Sequence, residues 1–241
     1  MDIISGRNAV TAALDSKLKI NKILIERSRN ENQIITHANK KGISIEFAGK
    51  EELNKTYGGT EHQGVIALAE PFQYLSIHEL LEISGTAPFF IILDHIVDPH
   101  NFGAILRSAE GAGVTGVIIP SKRAAAVTKG VYRASAGAVC YVPVAKVANI
   151  ANTIDLLKKS GLWIYGADIS GTSVYSENLT GSVGVVIGSE AGGVSNLVKK
   201  KCDALISIPM LGRISSLNAS VSAGIIIYEI LRQRIKENEK S

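Results

Sequence analysis

Apolar and polar positions along this chain come in blocks whose period changes, and those changes predict the elements. Residues 8–16 put Ala9, Val10, Ala13 and Leu14 on one face of a helix. Lys22 to Glu26 reads as a strand, 30–41 as a helix, and Ile43 to Phe47 as a half-buried strand by its alternation. A helix at 50–56 and a strand from Val65 to Ala69 follow. From Pro71 to Pro88 the pattern weakens to a connector with one short helix at 76–83. Its end, Ser84-Gly85-Thr86-Ala87-Pro88, has the composition of a boundary.

Beyond this connector the chain is more apolar. Phe89 to Leu93 is an unbroken apolar run, as in a strand buried on both faces. Helices at 101–111, 124–136, 147–159, 194–201 and 216–235 then alternate with strands at 117–119, 141–144, 162–166, 183–187 and 204–208. This alternation predicts an α/β fold with a mostly parallel sheet covered on both faces. Ligands of such sheets bind beyond the carboxyl ends of the strands, and the loops 94–101, 188–193 and 209–216 fall at that edge. The expected organisation is a small α/β module at 1–70, a linker at 71–87 and a larger α/β domain at 88–241.

Composition narrows the class. A hydrophobic share of 46% supports a sizeable core, and 20% charged residues is not a disordered composition. The net charge of +4 is compatible with a nucleic-acid partner. The two cysteines, Cys140 and Cys202, lie far apart without metal-type spacing, as expected in a reducing cytoplasm. No secretory signal opens the chain at Met1 to Arg7, and no apolar run is long enough to span a bilayer. A cytoplasmic protein with no membrane partner is expected.

Several motifs carry candidate chemistry, and some lose it on inspection. Gly111-Ala112-Gly113-Val114-Thr115-Gly116 spells the dinucleotide fingerprint, but a helix precedes it and a strand follows, the reverse of what a pyrophosphate site needs. It reads as a helix end and turn. Asp94, His95, Asp98 and His100 sit together on a loop without helical spacing or cysteine partners, so no metal is expected. The nucleophile elbow G-x-S-x-G is absent.

Asp98-Pro99-His100-Asn101-Phe102-Gly103-Ala104-Ile105-Leu106-Arg107 opens a helix that Asp98 or Asn101 can cap. Arg107 lies two turns in among apolar neighbours, where a guanidinium either snorkels to water or pairs with an anion. Gly188-Ser189-Glu190-Ala191-Gly192-Gly193 links a buried strand to a helix, and its lone Glu190 suits a cationic or hydroxyl-bearing ligand. The stretch from Ile208 to Gly224 runs from a strand end through Met210, Gly212 and Arg213 into a hydroxyl-rich helix start. There Ser215 or Ser216 can cap, leaving Asn218, Ser220 and Ser222 within the helix.

In this order, the three segments resemble the three signature motifs of the SpoU (TrmH-like) branch of the SPOUT RNA methyltransferases. The N-terminal stretch from Gly6-Arg7-Asn8 to His62-Gln63-Gly64-Val65 resembles that family's substrate-binding domain, which is similar to a small ribosomal protein. Among its members the chain is most similar to the bacterial 23S rRNA guanosine-2′-O-methyltransferases. One departure is Ala191, where the family usually carries Gly after the Glu.

The resemblance implies a trefoil-knotted catalytic domain that uses S-adenosylmethionine to methylate ribose 2′-hydroxyls and works as a homodimer. It implies that Gly188, Ile208, Met210 and Leu217 hold the cofactor. Asn101, Arg107, Glu190, Ser216 and Asn218 match positions near the reacting centre. Arg7, Lys17, Lys19, Lys22, Arg27 and Arg29 are candidate phosphate contacts of the N-terminal module. A transfer-RNA methyltransferase and a non-catalytic rRNA-binding factor are the competing readings.

Overall fold

The computed structural model describes residues 1–190 and 192–239. The N-terminal module folds as β1 (Asp2–Ser5), α1 (Arg7–Asp15), β2 (Ile20–Glu26), α2 (Asn32–Lys40), β3 (Ser44–Ala48), α3 (Lys50–Tyr57) and β4 (Val65–Ala69). Its sheet has the order β1-β4-β2-β3, with β2 and β3 parallel and the other pairs antiparallel. After α4 (Ile77–Glu82) comes the second half: β5 (Phe89–Asp94), α5 (Pro99–Gly111), β6 (Gly116–Pro120), α6 (Lys129–Ala134), β7 (Val144–Val147), α7 (Ile150–Lys159), β8 (Trp163–Ser173), β9 (Val183–Gly188), α8 (Asn196–Lys199), β10 (Ala204–Ser207) and α9 (Ala219–Asn238). These six strands form one wholly parallel sheet in the order β10-β8-β9-β5-β6-β7.

The apolar run of β5 works as a period-two pattern. Phe89, Ile91 and Leu93 point into one apolar layer and Phe90 and Ile92 into the other, all of them buried. Burial of each such side chain favours the fold by about 1.5–3 kcal/mol, so this central strand anchors both layers. On one face, α5 and α9 pack together with α6; Gly103 is required there, since a Cβ would lie 2.5 Å from the Ala134 Cβ. On the other face lie α4, α7 and α8.

The N-terminal module shares the first of these layers: Ile4, Val10 and Leu14 belong to the same apolar cluster as Phe102 and Leu106. Gly137, at φ +91, lets α1 approach so closely that a Cβ would lie 2.5 Å from that of Ala12. The connecting segment is also sewn down. Leu75 donates its N–H to the Val144 carbonyl (2.9 Å) and accepts from the Lys146 N–H (3.0 Å), which covers part of the exposed edge of β7.

Several element boundaries differ from the sequence expectation. The predicted helix at 124–136 contracts to α6, because the Ala125 N–H is drawn to the Ile96 carbonyl and the Val127 N–H to the Tyr74 hydroxyl. The strand expected at 141–144 lies at Val144–Val147, paired in parallel with β6. Helix α9 starts later than expected, with Asn218 rather than Ser215 or Ser216 as its cap.

Candidate functional site

Two strand ends and one loop build the site. At the end of β5 the buried Asp94 carboxylate accepts from His95 Nδ1 (2.6 Å) and from the Ser195 N–H (2.8 Å), tying the loop before α5 to the end of the 188–195 segment. Asp98, not Asn101, caps α5, accepting from the His100 and Asn101 N–H groups. With Pro99 in the first turn, where its missing N–H costs nothing, the helix start is fixed. Asn101 is thereby free to point its amide inward, and it is buried.

That amide joins all three predicted segments. Asn101 Nδ2 donates to Glu190 Oε1 (3.0 Å), and Asn218 Nδ2 donates to Asn101 Oδ1 (2.9 Å) and to Glu190 Oε1. The Asn218 oxygen faces the other way and accepts from the N–H groups of Ser220 (2.9 Å) and Val221 (3.3 Å), capping α9. Residues separated by 89 and 117 positions are thus locked in one polar cluster. Glu190 stays exposed beside its amide partners, as an acceptor-only carboxylate able to take a further donor.

Glu190 also lines a cavity of about 510 Å³ between the ends of β8, β9 and β10 and the start of α9. Its floor is apolar, from Ile187, Ile206, Ile208 and Ile226, with Leu217 and Met210 beside them. Gly188, Ser215 and Ser216 complete that side. Gly188 is a steric requirement: a Cβ there would sit 1.9 Å from the carbonyl carbon of Gly193. The loop folds back on itself, with the Gly193 N–H donating to the Ser189 carbonyl (2.8 Å) and Gly193 at φ +61. Ala191, where the motif departs from the family pattern, lies outside the described residues.

Arg107 is placed apart from both features. It is exposed on α5, makes no hydrogen bond or ion pair with any described residue, and does not line the cavity. Its guanidinium is free to meet an anion from outside the chain.

Sequence reasoning misses the wall opposite Glu190, made by Asp168, Ser170 and Lys199. The sequence pattern ends strand β8 at Gly166, but the strand continues to Ser173 around a bulge. Its pairing with β10 jumps from Leu205↔Gly166 to Ile206↔Thr172, which pushes residues 167–171 toward the cavity. Gly171 permits this, since a Cβ would lie 2.4 Å from the Leu205 backbone. The one local signal is the Asp-x-Ser-Gly turn, in which the Ser170 N–H and hydroxyl both donate to Asp168 Oδ1.

Burial alone would raise the Asp168 carboxyl. The Lys199 ammonium and the two Ser170 hydrogen bonds outweigh it and hold the group at about 2. A carboxyl whose folded value lies below its ordinary 3.8 contributes stability above that value and loses it as the pH falls through about 2. Asp168→Asn should therefore lower stability to urea at pH 7, and its difference from the wild type should shrink at pH 3. An equal difference at both pH values would contradict this role for the pair.

Other candidates resolve differently. Asp94, His95, Asp98 and His100 serve as loop and helix anchors or stand exposed, and among the described residues no group of three or more His, Cys, Asp or Glu side chains could hold a metal ion. Burial pushes the Cys140 thiol up to about 12 and, as the main cause, Cys202 up to about 11, so neither is a poised nucleophile. Of the six basic candidates in the N-terminal module, Arg7, Lys19, Lys22 and Arg29 face glutamates, and Arg27 donates to the Phe47 carbonyl. No described helix is long and apolar enough to cross a membrane.

Comparison with known proteins adds sequence and fold relationships to this geometry. Residues 88–228 match the SpoU rRNA Methylase family, and residues 3–75 match the domain described as RNA 2′-O ribose methyltransferase substrate binding. A Bacillus subtilis protein named for the TrmH family of tRNA/rRNA methyltransferases is 40% identical over 97% of this chain and 96% of its own. A Staphylococcus epidermidis protein named for the same family is 42% identical over 99% of this chain and 98% of its own. Among solved structures, the SpoU methyltransferase AviRb from Streptomyces viridochromogenes, crystallised with the cofactor AdoMet, superposes with a TM-score of 0.84 at 25% identity. That superposition covers 97% of this chain and 90% of AviRb.

Proposed function

The chain belongs to the SpoU rRNA Methylase family, and from that premise we propose that it methylates the ribose 2′-hydroxyl of a guanosine in 23S ribosomal RNA. The observation that carries this reading is the Asn101–Glu190–Asn218 cluster, which joins three distant segments at the rim of one cavity. An RNA-binding protein without catalysis has no use for a buried amide, a carboxylate and a helix cap locked together beside an apolar cleft.

The cavity fits S-adenosylmethionine. An apolar floor suits a purine, and the missing side chain of Gly188 lets the Gly193–Val194 backbone close against the strand end that lines the cavity. Gly188, Ile208, Met210 and Leu217 would hold the cofactor, and Ser216 lines the same cavity. When bound, it supplies a methyl group already activated on a sulfonium.

The chain must then align the acceptor oxygen and manage its proton. The planar fork of Arg107 suits a phosphate, and a bidentate grip on the target's phosphodiester would fix the 2′-oxygen and stabilise charge developing on it. Asn101, Glu190 and Asn218 form a shelf that orients the ribose. The N-terminal module, held against the catalytic half by a common apolar layer, would present the RNA to it.

A homodimer is part of this reading. Val221, Tyr228 and Ile235 repeat every seven residues along α9 and are each about half exposed (48%, 51% and 50%). An apolar stripe of that spacing suits a second copy of the helix. By contrast Gly224 of the small-residue stripe faces Ser108 of the same chain. Ribose methylation mapped in total RNA with and without the protein should reveal one guanosine of 23S rRNA, and light scattering should give twice 25.6 kDa. A site in transfer RNA, or no site despite cofactor binding, would replace the reading with one of its competitors.

A further inference from the structure

A second groove lies on the far side of the loop that leads into α5. It is lined by the ends of β5 and β6, the turn from β7 into α7 and the start of α8, and its polar side chains besides Asp94 are His95, Lys122, Arg123, Asn149 and Ser195. Its volume is about 320 Å³. Other lysines on and after α7 and α8 are spent within the protein: Lys158, Lys199 and Lys201 are each ion-paired to an aspartate. Lys122 and Arg123 are exposed and make no hydrogen bond or ion pair with any described residue.

Among the described residues, the only carboxylate lining the groove is Asp94. It is buried, and its two oxygens are already occupied by His95 Nδ1 and the Ser195 N–H. The Asp94 bond fixes the orientation of the His95 ring and leaves its second nitrogen for an outside partner. The exposed part of the lining therefore carries two cations with no described partner and a held imidazole, beside the polar side chains of Asn149 and Ser195. That chemistry recognises phosphodiester oxygens.

The groove is also close to the reacting centre. His95 and Asn101 are six residues apart on one loop and helix start, so extended chain could separate them by at most roughly 20 Å. Asp94 links the groove's imidazole to the segment that carries Glu190. A strand held at Asn101 and Glu190 and crossing the 94–98 loop would bring its flanking phosphates over Lys122 and Arg123.

We infer that this groove binds the sugar–phosphate backbone of the RNA substrate beside the methylated nucleotide, through Lys122, Arg123 and His95. The inference rests on the methyltransferase reading and adds to it a positioning surface on the catalytic half, separate from the N-terminal module. Such a surface contributes affinity and register through charge rather than base identity.

The test compares full-length wild type with the double variant Lys122→Ala/Arg123→Ala, using 23S rRNA transcribed in vitro as the probe. The variant should bind the RNA several-fold more weakly. The slope of log affinity against log salt should become shallower by about 1.4, about 0.7 for each single-strand phosphate that the variant no longer neutralises. The KM for RNA should rise with kcat held within about twofold, and S-adenosylmethionine affinity should not change. A control variant, Lys159→Ala/Lys200→Ala, removes two charges elsewhere on the surface and should leave the slope unaltered. An unchanged slope in the first variant, or an equal change in the control, overturns the groove while leaving the methyltransferase reading intact. Wild-type protein that binds S-adenosylmethionine but neither this RNA nor bulk transfer RNA overturns that reading and the groove with it.

Discussion

Arg107→Ala should lower methyl transfer to RNA by roughly 10²–10³-fold, the usual cost of removing one donor aimed at a developing negative charge. S-adenosylmethionine binding should be preserved, because Arg107 does not line the cavity that would hold the cofactor. Stability should also hold. The residue is exposed on α5 without a described partner, and an exposed Arg-to-Ala change in a helix typically shifts stability by about 0.5 kcal/mol or less. Arg107→Lys discriminates further. It keeps the positive charge and loses the planar fork, so a bidentate grip predicts a loss close to that of alanine, whereas simple charge attraction predicts near-complete rescue. Single-turnover kinetics paired with calorimetry separate these outcomes. Near-normal turnover in the alanine variant would remove Arg107 from the mechanism.

Gly188→Ala should fail at the opposite step, with cofactor affinity falling by roughly 5- to 150-fold if about 1–3 kcal/mol of loop strain is taken from binding. The added methyl would meet the Gly193 carbonyl carbon at 1.9 Å and the Val194 nitrogen at 2.1 Å. Both are backbone atoms, so the loop itself must move. Overpacking of this kind costs about 1–3 kcal/mol of stability, and the loop that moves is the one facing the cavity. Gly192→Ala is the control: a Cβ there would make an ordinary 3.5 Å contact with the Ser189 hydroxyl oxygen. Calorimetry and urea denaturation of the two variants should therefore diverge. Equal cofactor affinity in both would show that the path of this loop does not shape the cavity.

The fold is legible in the sequence where burial dominates. The run from Phe89 to Leu93 and the alternation after it point to the parallel sheet, since a strand covered on both faces has no polar positions to spare. Short or context-driven elements are not legible. Strand β1, Asp2–Ser5, has four residues and exists through pairing with β4 at the far end of its module. Residues 124–128 have high helical propensity, yet the Ile96 carbonyl and the Tyr74 hydroxyl draw them into a loop.

At the site, the motifs single out Asn101, Glu190 and Asn218, but only the fold brings them into hydrogen-bond contact. The Asp168–Lys199 wall depends on a register jump between β8 and β10, a non-local event that the local pattern of either strand does not carry. The hydroxyl-rich start of α9 misleads in an instructive way. Serines are good caps, but Asn218 can satisfy the helix and still donate, which a serine in its place could not do toward two acceptors.

That division of one side chain has a thermodynamic consequence. The oxygen of Asn218 holds the first turn of α9 while its nitrogen holds Asn101 and Glu190, and a planar amide cannot release one end without moving the other. Fraying at the start of α9 and loosening of the Asn101–Glu190–Asn218 cluster are therefore a single cooperative opening rather than two independent ones. Any ligand that steadies the amide also steadies the start of α9, so binding at the cluster becomes, by linkage, part of what keeps that helix folded.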